Sequence, residues 1–338
     1  MPFRAGLVSV GSALPEQVIT TADISRRICE TTGFQITNGL IDRLTGVRSR
    51  RYRAEDEQSS DLAWRAAIQA IDRAEIDKDE LDLIIFAAIS QDITEPATAN
   101  ILQEKLGVSN TQVIDVKNAC NSFLNGLDVA DSYMRTGKSR CALVACGETL
   151  SVGIDWRIRS NDELKPRIAS LTLGDAGAAA VLKAIPKEEG RGILGTRFHS
   201  YGEKWRLATV LSGGSMHRME PEYSYFLSQS ASLREAAYQL VPEVVQEALD
   251  ATGWKPTDLD VVCGHQVTKE LVHGISEACG IPLERNAITV TDCGNTGAAS
   301  IPLTLARAYD EGRLKRGSKV MLVGGAAGFS TGAISLIW

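Results

Sequence analysis

The stretch AAIQAIDRAEIDKDELDLIIFAAIS, residues 66–90, decides the fold because its shape occurs twice. It reads as a helix, a polar turn and an apolar strand. Residues 243–266, EVVQEALDATGWKPTDLDVVCGHQ, follow the same plan. Ala70-Ile71-Asp72 corresponds to Ala248-Leu249-Asp250, and Leu81-Asp82-Leu83 to Leu259-Asp260-Val261, both at an offset of 178. Two further features recur. NACNSFLNGLDVADSYMRTGKSRCALVACG (118–147) parallels DCGNTGAASIPLTLARAYDEGRLKRGSKVMLVGG (292–325): each reads as a strand-to-helix elbow of small residues, a helix, a Gly turn and a buried strand. Each half closes on a Gly/Ala-rich apolar strand, LGDAGAAAVLKAI (173–185) and GFSTGAISLIW (328–338). A single long repeat marks a duplicated domain, whereas a solenoid stacks several short units.

The strands are near-continuous apolar runs such as LIIFAA and VMLVGG, as expected of strands buried on both faces. Leu62, Ala66, Ala67, Ala70 and Ile71 keep a helical period, and their alanines predict close packing between layers. Strand, helix, strand implies right-handed crossovers. The expectation is a layered α/β fold of two duplicated halves, residues 1–187 and 188–338, with mostly parallel sheets and helices between them. The polar segment PKEEGRG marks the junction. Residues 152–170 and 200–225 break the rhythm and read either as cap or lid insertions or as surface loops.

The 338 residues are 44% hydrophobic and 23% charged, an ordinary globular balance. A net charge of -6 argues against general nucleic-acid binding. No apolar run reaches the length of a membrane span, and MPFRAGLVSVGSALP lacks the pattern of a signal peptide. The seven cysteines (29, 120, 141, 146, 263, 279, 293) include no CxxC pair and no zinc-ligand spacing. They read as reduced thiols, so the expected location is the cytoplasm and no metal is expected.

In IDVKNACNSFLNGLDVA (114–130) a strand-like run arrives at Cys120 and an amphipathic helix leaves. A cysteine there has two readings. It is a small buried hydrophobe, or it is a nucleophile whose thiolate the helix N-terminus favours. The duplication adds a second elbow, TDCGNTGAAS, with Asn295 near its turn. It also adds His265 at the C-terminal end of a buried strand, where ligand sites in α/β sheets gather. Cys120, His265 and Asn295 are therefore expected to point into the space between the halves. A thiolate attacks, a neutral histidine holds or moves a proton, and an asparagine amide donates to a developing oxyanion. A satisfied core histidine and a plain helix N-cap are the alternatives. His199 and His217 fall in irregular stretches, and His273 on a polar-looking helix.

These residues carry a resemblance along almost the whole chain. TGVRSRR (45–51), DVKNACNSF (115–123), GDAGAAAVL (174–182), GHQ (264–266), GNTGAASIP (294–302) and GGAAGFSTG (324–332) occur in the order of the thiolase superfamily. The chain resembles the β-ketoacyl-ACP synthase III-like condensing enzymes within it. That resemblance implies an acyl-accepting Cys120, with His265 and Asn295 binding the carbonyl of a second thioester. It implies an oxyanion hole from the backbone N–H groups of Cys120 and Ala327, and substrate-binding roles for Arg48, Lys269 and Phe329. It also implies a homodimer, acyl-CoA or acyl-ACP thioester substrates, an acyl carrier protein as partner, and no cofactor.

Two departures bear on substrate. Leu40 and Leu44 stand where the family places a Trp and an Arg that hold the coenzyme A adenine. Glu95, in DITEPATANILQ, stands where the family is usually apolar and reaches across the dimer. An acid there resembles the head-to-head acyl-CoA condensing enzymes of olefin biosynthesis, in which a glutamate of the neighbouring subunit removes an α-proton. An apolar pocket would raise such a carboxyl's pKa and make it a usable base. The alternative is that Glu95 caps the helix starting near Thr98 or faces solvent. The leading expectation is a carbon–carbon bond-forming condensing enzyme giving a β-keto product. An acyltransferase to oxygen or nitrogen acceptors, and a non-catalytic subunit on the same fold, are the competing readings. A Cys–His protease does not explain the duplicated halves.

Overall fold

The computed structural model describes residues 2–338. The first half comprises β1 (Phe3–Ala13), β2 (Gln17–Thr20), α1 (Thr21–Thr32), α2 (Leu40–Thr45), β3 (Ser49–Tyr52), α3 (Ser59–Ala74) and β4 (Leu83–Ala87). It continues through α4 (Thr98–Leu106), β5 (Gln112–Val116), α5 (Ser122–Arg135), β6 (Cys141–Glu148), α6 (Asn161–Leu164) and β7 (Ala176–Pro186). The second half begins with β8 (Gly192–Ser200), β9 (Ala208–Thr209), β10 (Leu227–Ser228), α7 (Ser230–Thr252) and β11 (Val261–Gly264). It ends with α8 (Lys269–Ala278), α9 (Val290–Cys293), α10 (Ser300–Asp310), β12 (Lys319–Ala326) and β13 (Ser330–Ile337).

One sheet has the order β1-β7-β6-β4-β5 and the other β8-β13-β12-β11. The duplication is thus visible in four of the first sheet's five strands. The centres are parallel, β6 with β4 with β5 and β11 with β12. Strands β7 and β13 then return antiparallel, followed by β1 and β8. The counterpart of β5 is reduced to one bridge between Val262 and Asn286. The second elbow is therefore not strand-to-helix, as its sequence implied. The Gln266 side chain takes over the pairing there. It donates to the Ala287 carbonyl (2.6 Å) and accepts the N–H groups of Thr289 (2.9 Å) and Val290 (3.0 Å).

Helices α5 and α10 lie in the middle, each packed on strands of both sheets. The apolar residues of α10 point all round the helix, and nearly all of them are buried, as a helix enclosed between two layers requires. Helices α3 and α7 cover the outer faces. The close fit of α3 depends on glycine. A Cβ at Gly177 would stand 2.0 Å from the Leu62 carbonyl oxygen, and one at Gly147 would stand 1.8 Å from that of Ser59. Ala63, Ala66, Ala67 and Ala70 complete this small-on-small contact, all fully buried.

Of the two irregular stretches, the first packs with α1 and α2 around a separate cluster that includes Ile24, Ile28, Ile154 and Ile158. The second sends Tyr201 and Leu207 to the cluster under α7 instead, and meets the first where Arg157 lies 4.9 Å over the Tyr225 ring. His199 departs from its expected place. It lies in β8, because the strand runs on past its apolar start and ends half-exposed, with the imidazole on Glu247 (2.9 Å). All seven cysteines are free thiols. Among the described residues, no helix is long and apolar enough to cross a membrane.

Gly177→Val inserts a branched side chain against helix backbone that cannot yield. The expected cost is about 3 kcal/mol of unfolding free energy, the upper range for overpacked cores, read as a lowered denaturant midpoint. Wild-type stability in that variant would refute the small-on-small account.

Candidate active site

Cys120 lies between β5 and α5, on a turn whose preceding residue, Ala119, has φ 47°. A non-glycine residue in the left-handed region costs about 1 kcal/mol. The surrounding bonds hold it there. The Asn118 N–H donates to Ser122 Oγ (2.8 Å), and that hydroxyl donates to the Ala119 carbonyl (2.6 Å). Asn121, fully buried, ties the elbow to the other half by donating to the Ser330 carbonyl (3.1 Å) and Oγ (3.0 Å). The thiol thereby faces the turn between β12 and β13. Backbone N–H groups of Ala327 and of Cys120 itself point at the sulfur.

Those two donors favour a thiolate but do not win. Burial, aided by the negative charge of Glu148, pushes the Cys120 thiol up to about 12. The helix N-terminus does not produce a resting thiolate, because desolvation outweighs it. His265 follows β11 directly, its N–H bonded to the Val323 carbonyl (2.8 Å). Burial lowers its imidazole to about 4, with the Gly297 carbonyl working against the shift. The ring is neutral at physiological pH, and its Nδ1 has no hydrogen-bond partner. A cavity of about 60 Å3 opens beside it, walled by Val241, Val262, Leu271, Ile275 and Val323.

Asn295 is buried and fixed at three points. Its N–H donates to the Thr172 carbonyl (2.8 Å), and its carbonyl accepts the Gly174 N–H (2.9 Å). Its Oδ1 accepts the Gly297 N–H (3.0 Å). That last bond sets the amide orientation and leaves Nδ2 as the free donor. Asn295 does not cap a helix by its side chain in the usual way, since α10 begins only at Ser300. The Asn295–Ala298 turn connects both other groups. Gly297 faces His265, and the Ala298 N–H reaches Glu148, whose charge bears on Cys120.

The remaining expected residues are placed differently. Arg48 is exposed, and Lys269 opens α8 with its stem over Gly46, where a Cβ would stand 2.5 Å from the lysine Cβ. Leu44, two residues before Gly46, is exposed as well. Arg50 of the same TGVRSRR segment is instead fully buried, bonding Thr21 Oγ1 (3.1 Å) and the Leu171 carbonyl (2.8 Å). Phe329 is a core residue, packed on Tyr201 at 6.5 Å between ring centroids. Glu95 is exposed within the chain. It does not cap α4: the Thr98 and Ala99 N–H groups are both taken by Asp115 of β5 (2.8 Å each).

Sequence reasoning left out Glu148 and Gln266, although Gln266 lies in the quoted GHQ and Glu148 directly follows the quoted segment that ends at Gly147. Glu148 ends an otherwise apolar strand, and that position was the available signal. Its carboxyl is fully buried, and burial raises it to about 7 against the hydrogen bonds that favour ionisation.

The neutral state of His265 has a consequence for stability. Its folded pKa of about 4 lies below the ordinary 6.5, so the unfolded chain binds more protons between these values. This group's contribution to stability then rises with pH across that window. His265→Asn should gain melting temperature relative to wild type as pH falls from 6.5 towards 4. Calorimetry showing a pH-independent difference would contradict the buried neutral imidazole.

Comparison with known proteins follows the same outline. Residues 114–202 match the family described as 3-oxoacyl-[acyl-carrier-protein (ACP)] synthase III, and residues 249–338 match its C-terminal family. The β-ketoacyl-[acyl-carrier-protein] synthase III of Rhodospirillum centenum is 35% identical, over 100% of both chains. That of Paramagnetospirillum magneticum is 34% identical, over 98% of each. Among solved structures, FabH of Pseudomonas aeruginosa superposes with a TM-score of 0.87 at 29% identity, covering 99% of this chain and 98% of that one. Cerulenin-bound OleA of Xanthomonas campestris also gives 0.87, at 26% identity, covering 100% and 98%.

Proposed function

Because the chain belongs to the β-ketoacyl-[acyl-carrier-protein] synthase III family of condensing enzymes, we propose that it loads an acyl group onto Cys120 and joins it to a malonyl thioester by decarboxylative Claisen condensation. The donor is an acyl-CoA or an acyl carrier protein, and the product is a β-keto thioester. One observation carries this reading: a neutral His265 and the free Nδ2 of Asn295, two donors that do not titrate near neutral pH, share a site with the thiol.

In the loading step the Cys120 sulfur bonds to the thioester carbonyl carbon and the donor's sulfur leaves. The high thiol pKa means that the proton departs as the bond forms, ending on the leaving thiol. The tetrahedral oxyanion accepts the Ala327 and Cys120 N–H groups. In the second step the malonyl thioester loses carbon dioxide. Its enolate oxygen accepts from His265 and Asn295, and its α-carbon attacks the acyl-enzyme carbonyl. Collapse of the tetrahedral intermediate expels the Cys120 thiolate, which takes up a proton. Arg48, two residues past Gly46, and Lys269, whose stem lies over Gly46, are cations suited to the phosphates of a CoA or phosphopantetheine arm, while exposed Leu44 offers an adenine no cation.

Intact-mass analysis with a panel of acyl-CoAs, with and without malonyl thioester, tests this directly. Cys120→Ala should show no acyl adduct. His265→Ala and Asn295→Ala should still load but condense about two to four powers of ten more slowly. Normal condensation by both would remove His265 and Asn295 from the condensing step.

A second reading rests on Glu95. The β5 edge of the first sheet is unpaired, which supports a homodimer through that edge. Glu95 is exposed just ahead of α4, whose N-terminus is bonded to β5, so it stands beside the same edge. There it is suited to act on the partner's site as the base for condensing two simple acyl-CoAs. Glu95→Gln should then keep Cys120 loading, lose that condensation, and leave the malonyl-dependent reaction nearly untouched. Equal loss in both reactions would assign Glu95 to structure.

A further inference from the structure

Glu148 is the most unusual buried group in the molecule. The other seven residues of β6 are small or apolar and buried, and a carboxyl group at the end of such a strand is costly unless its oxygens are satisfied. They are satisfied without any cation. Oε1 accepts the N–H groups of Ile89 (2.8 Å) and Ala298 (3.3 Å). Oε2 accepts the N–H of Ser90 (3.0 Å) and its hydroxyl (2.7 Å). The titratable groups that face it are two thiols, Cys120 and Cys146, the latter with Sγ at 3.9 Å.

Three of these donors belong to the first half, just past β4, and the fourth belongs to the second. Ala298 is three residues past Asn295 and directly follows Gly297, whose carbonyl faces His265. Gly297 has φ 55°, and a Cβ there would stand 2.9 Å from Ile89 Cδ1 and 3.6 Å from the Glu148 carboxyl carbon. The turn carrying Asn295 is therefore pressed directly onto this carboxyl. Both oxygens are occupied and out of reach of solvent, so Glu148 cannot touch a substrate.

We propose that Glu148 is a positioning residue of the condensing site: it pins the Asn295–Ala298 turn of the second half to the end of β4 in the first, and so holds Asn295 and the backing of His265 in register with Cys120. This rests on the condensation reading above. Neither glutamine nor aspartate can replace it freely. Glutamine turns one acceptor oxygen into an NH2 facing backbone N–H groups. Aspartate keeps both acceptors but is one methylene short. A shift of about 1 Å in such a turn can cost on the order of 100-fold in rate.

The test uses the full chain with Glu148→Gln, Glu148→Asp and Ser90→Ala, which removes one bond of the set and leaves the carboxyl in place. Three quantities are read: Cys120 loading by mass, turnover with a malonyl thioester resolved into kcat and KM, and Cys120 alkylation by iodoacetamide at pH 8. The expected result for Glu148→Gln is loading within a few-fold of wild type and kcat down about 100-fold with KM little changed. Alkylation should rise about tenfold, because removing one negative charge beside the thiol favours the thiolate by about one pKa unit. Glu148→Asp should recover part of kcat, and Ser90→Ala should fall between Glu148→Asp and wild type. Wild-type kcat in Glu148→Gln overturns the proposal. So does a parallel fall of loading and kcat with a lowered melting temperature, which marks a merely structural role. If the wild type loads but never condenses, the functional reading fails. The proposal rests on that reading and falls with it, whereas a condensing wild type with an unimpaired Glu148→Gln overturns the proposal alone.

Discussion

Two backbone hydrogen bonds carry the arrangement of the site. The Asn295 N–H donates to Thr172, and the Gly174 N–H donates to Asn295. They pair a turn of the second half with the segment leading into β7 of the first, as in a sheet ladder. A Cβ at Gly174 would stand 2.2 Å from the Cys293 carbonyl oxygen, and one at Gly294 would stand 2.3 Å from that of Thr172. The two chains can lie this close only with glycine at both crossings. Every other contact between the chemically active groups presupposes this junction, since it sets where Asn295, Gly297 and Ala298 stand relative to the Cys120 elbow.

The reacting groups around the junction are desolvated, and the electrostatics follow from that. In a site of low dielectric the charged form of each group is disfavoured. The thiol keeps its proton, the imidazole stays neutral, and a carboxyl held by four hydrogen bonds still lies near 7. Neither the thiol nor the imidazole is charged in advance, so charge on the reacting groups develops only where a substrate carbonyl meets aligned donors. Such a site favours transition states over ground states.

The duplication was legible because buried strands and their covering helices leave strong periodic patterns, and because glycine and alanine at the elbows repeat at nearly constant offset. Cys120 and His265 stand where the repeat places them, after β5 and β11, whereas Asn295 lies in a turn that no strand precedes. Other features left no such trace. Glu148 looks like any strand-terminal acid until the turn of the other half is folded against it. Gln266 replaces a strand with side-chain bonds, which periodicity cannot register. Arg48 and Arg50 are two residues apart in one motif, yet one is exposed and the other buried; alternation predicts that they share a face. They part because β3 is only four residues long and starts at Ser49, leaving Arg48 outside it.

The loss of a fifth strand from the second half has a consequence for how copies of the chain can associate. The outer strands β1 and β8 pack against each other, and the edge of β11 is closed by the segment around Asn286. The half-exposed edge of β5 is left open. An intact duplication would carry two such edges, and chains joining edge to edge could then extend without limit. With one, the chain has a valence of one, and any self-complementary pairing closes at two copies. The asymmetry that lets the second half spend its chain on the Asn295 turn is thus also a guard against polymerisation.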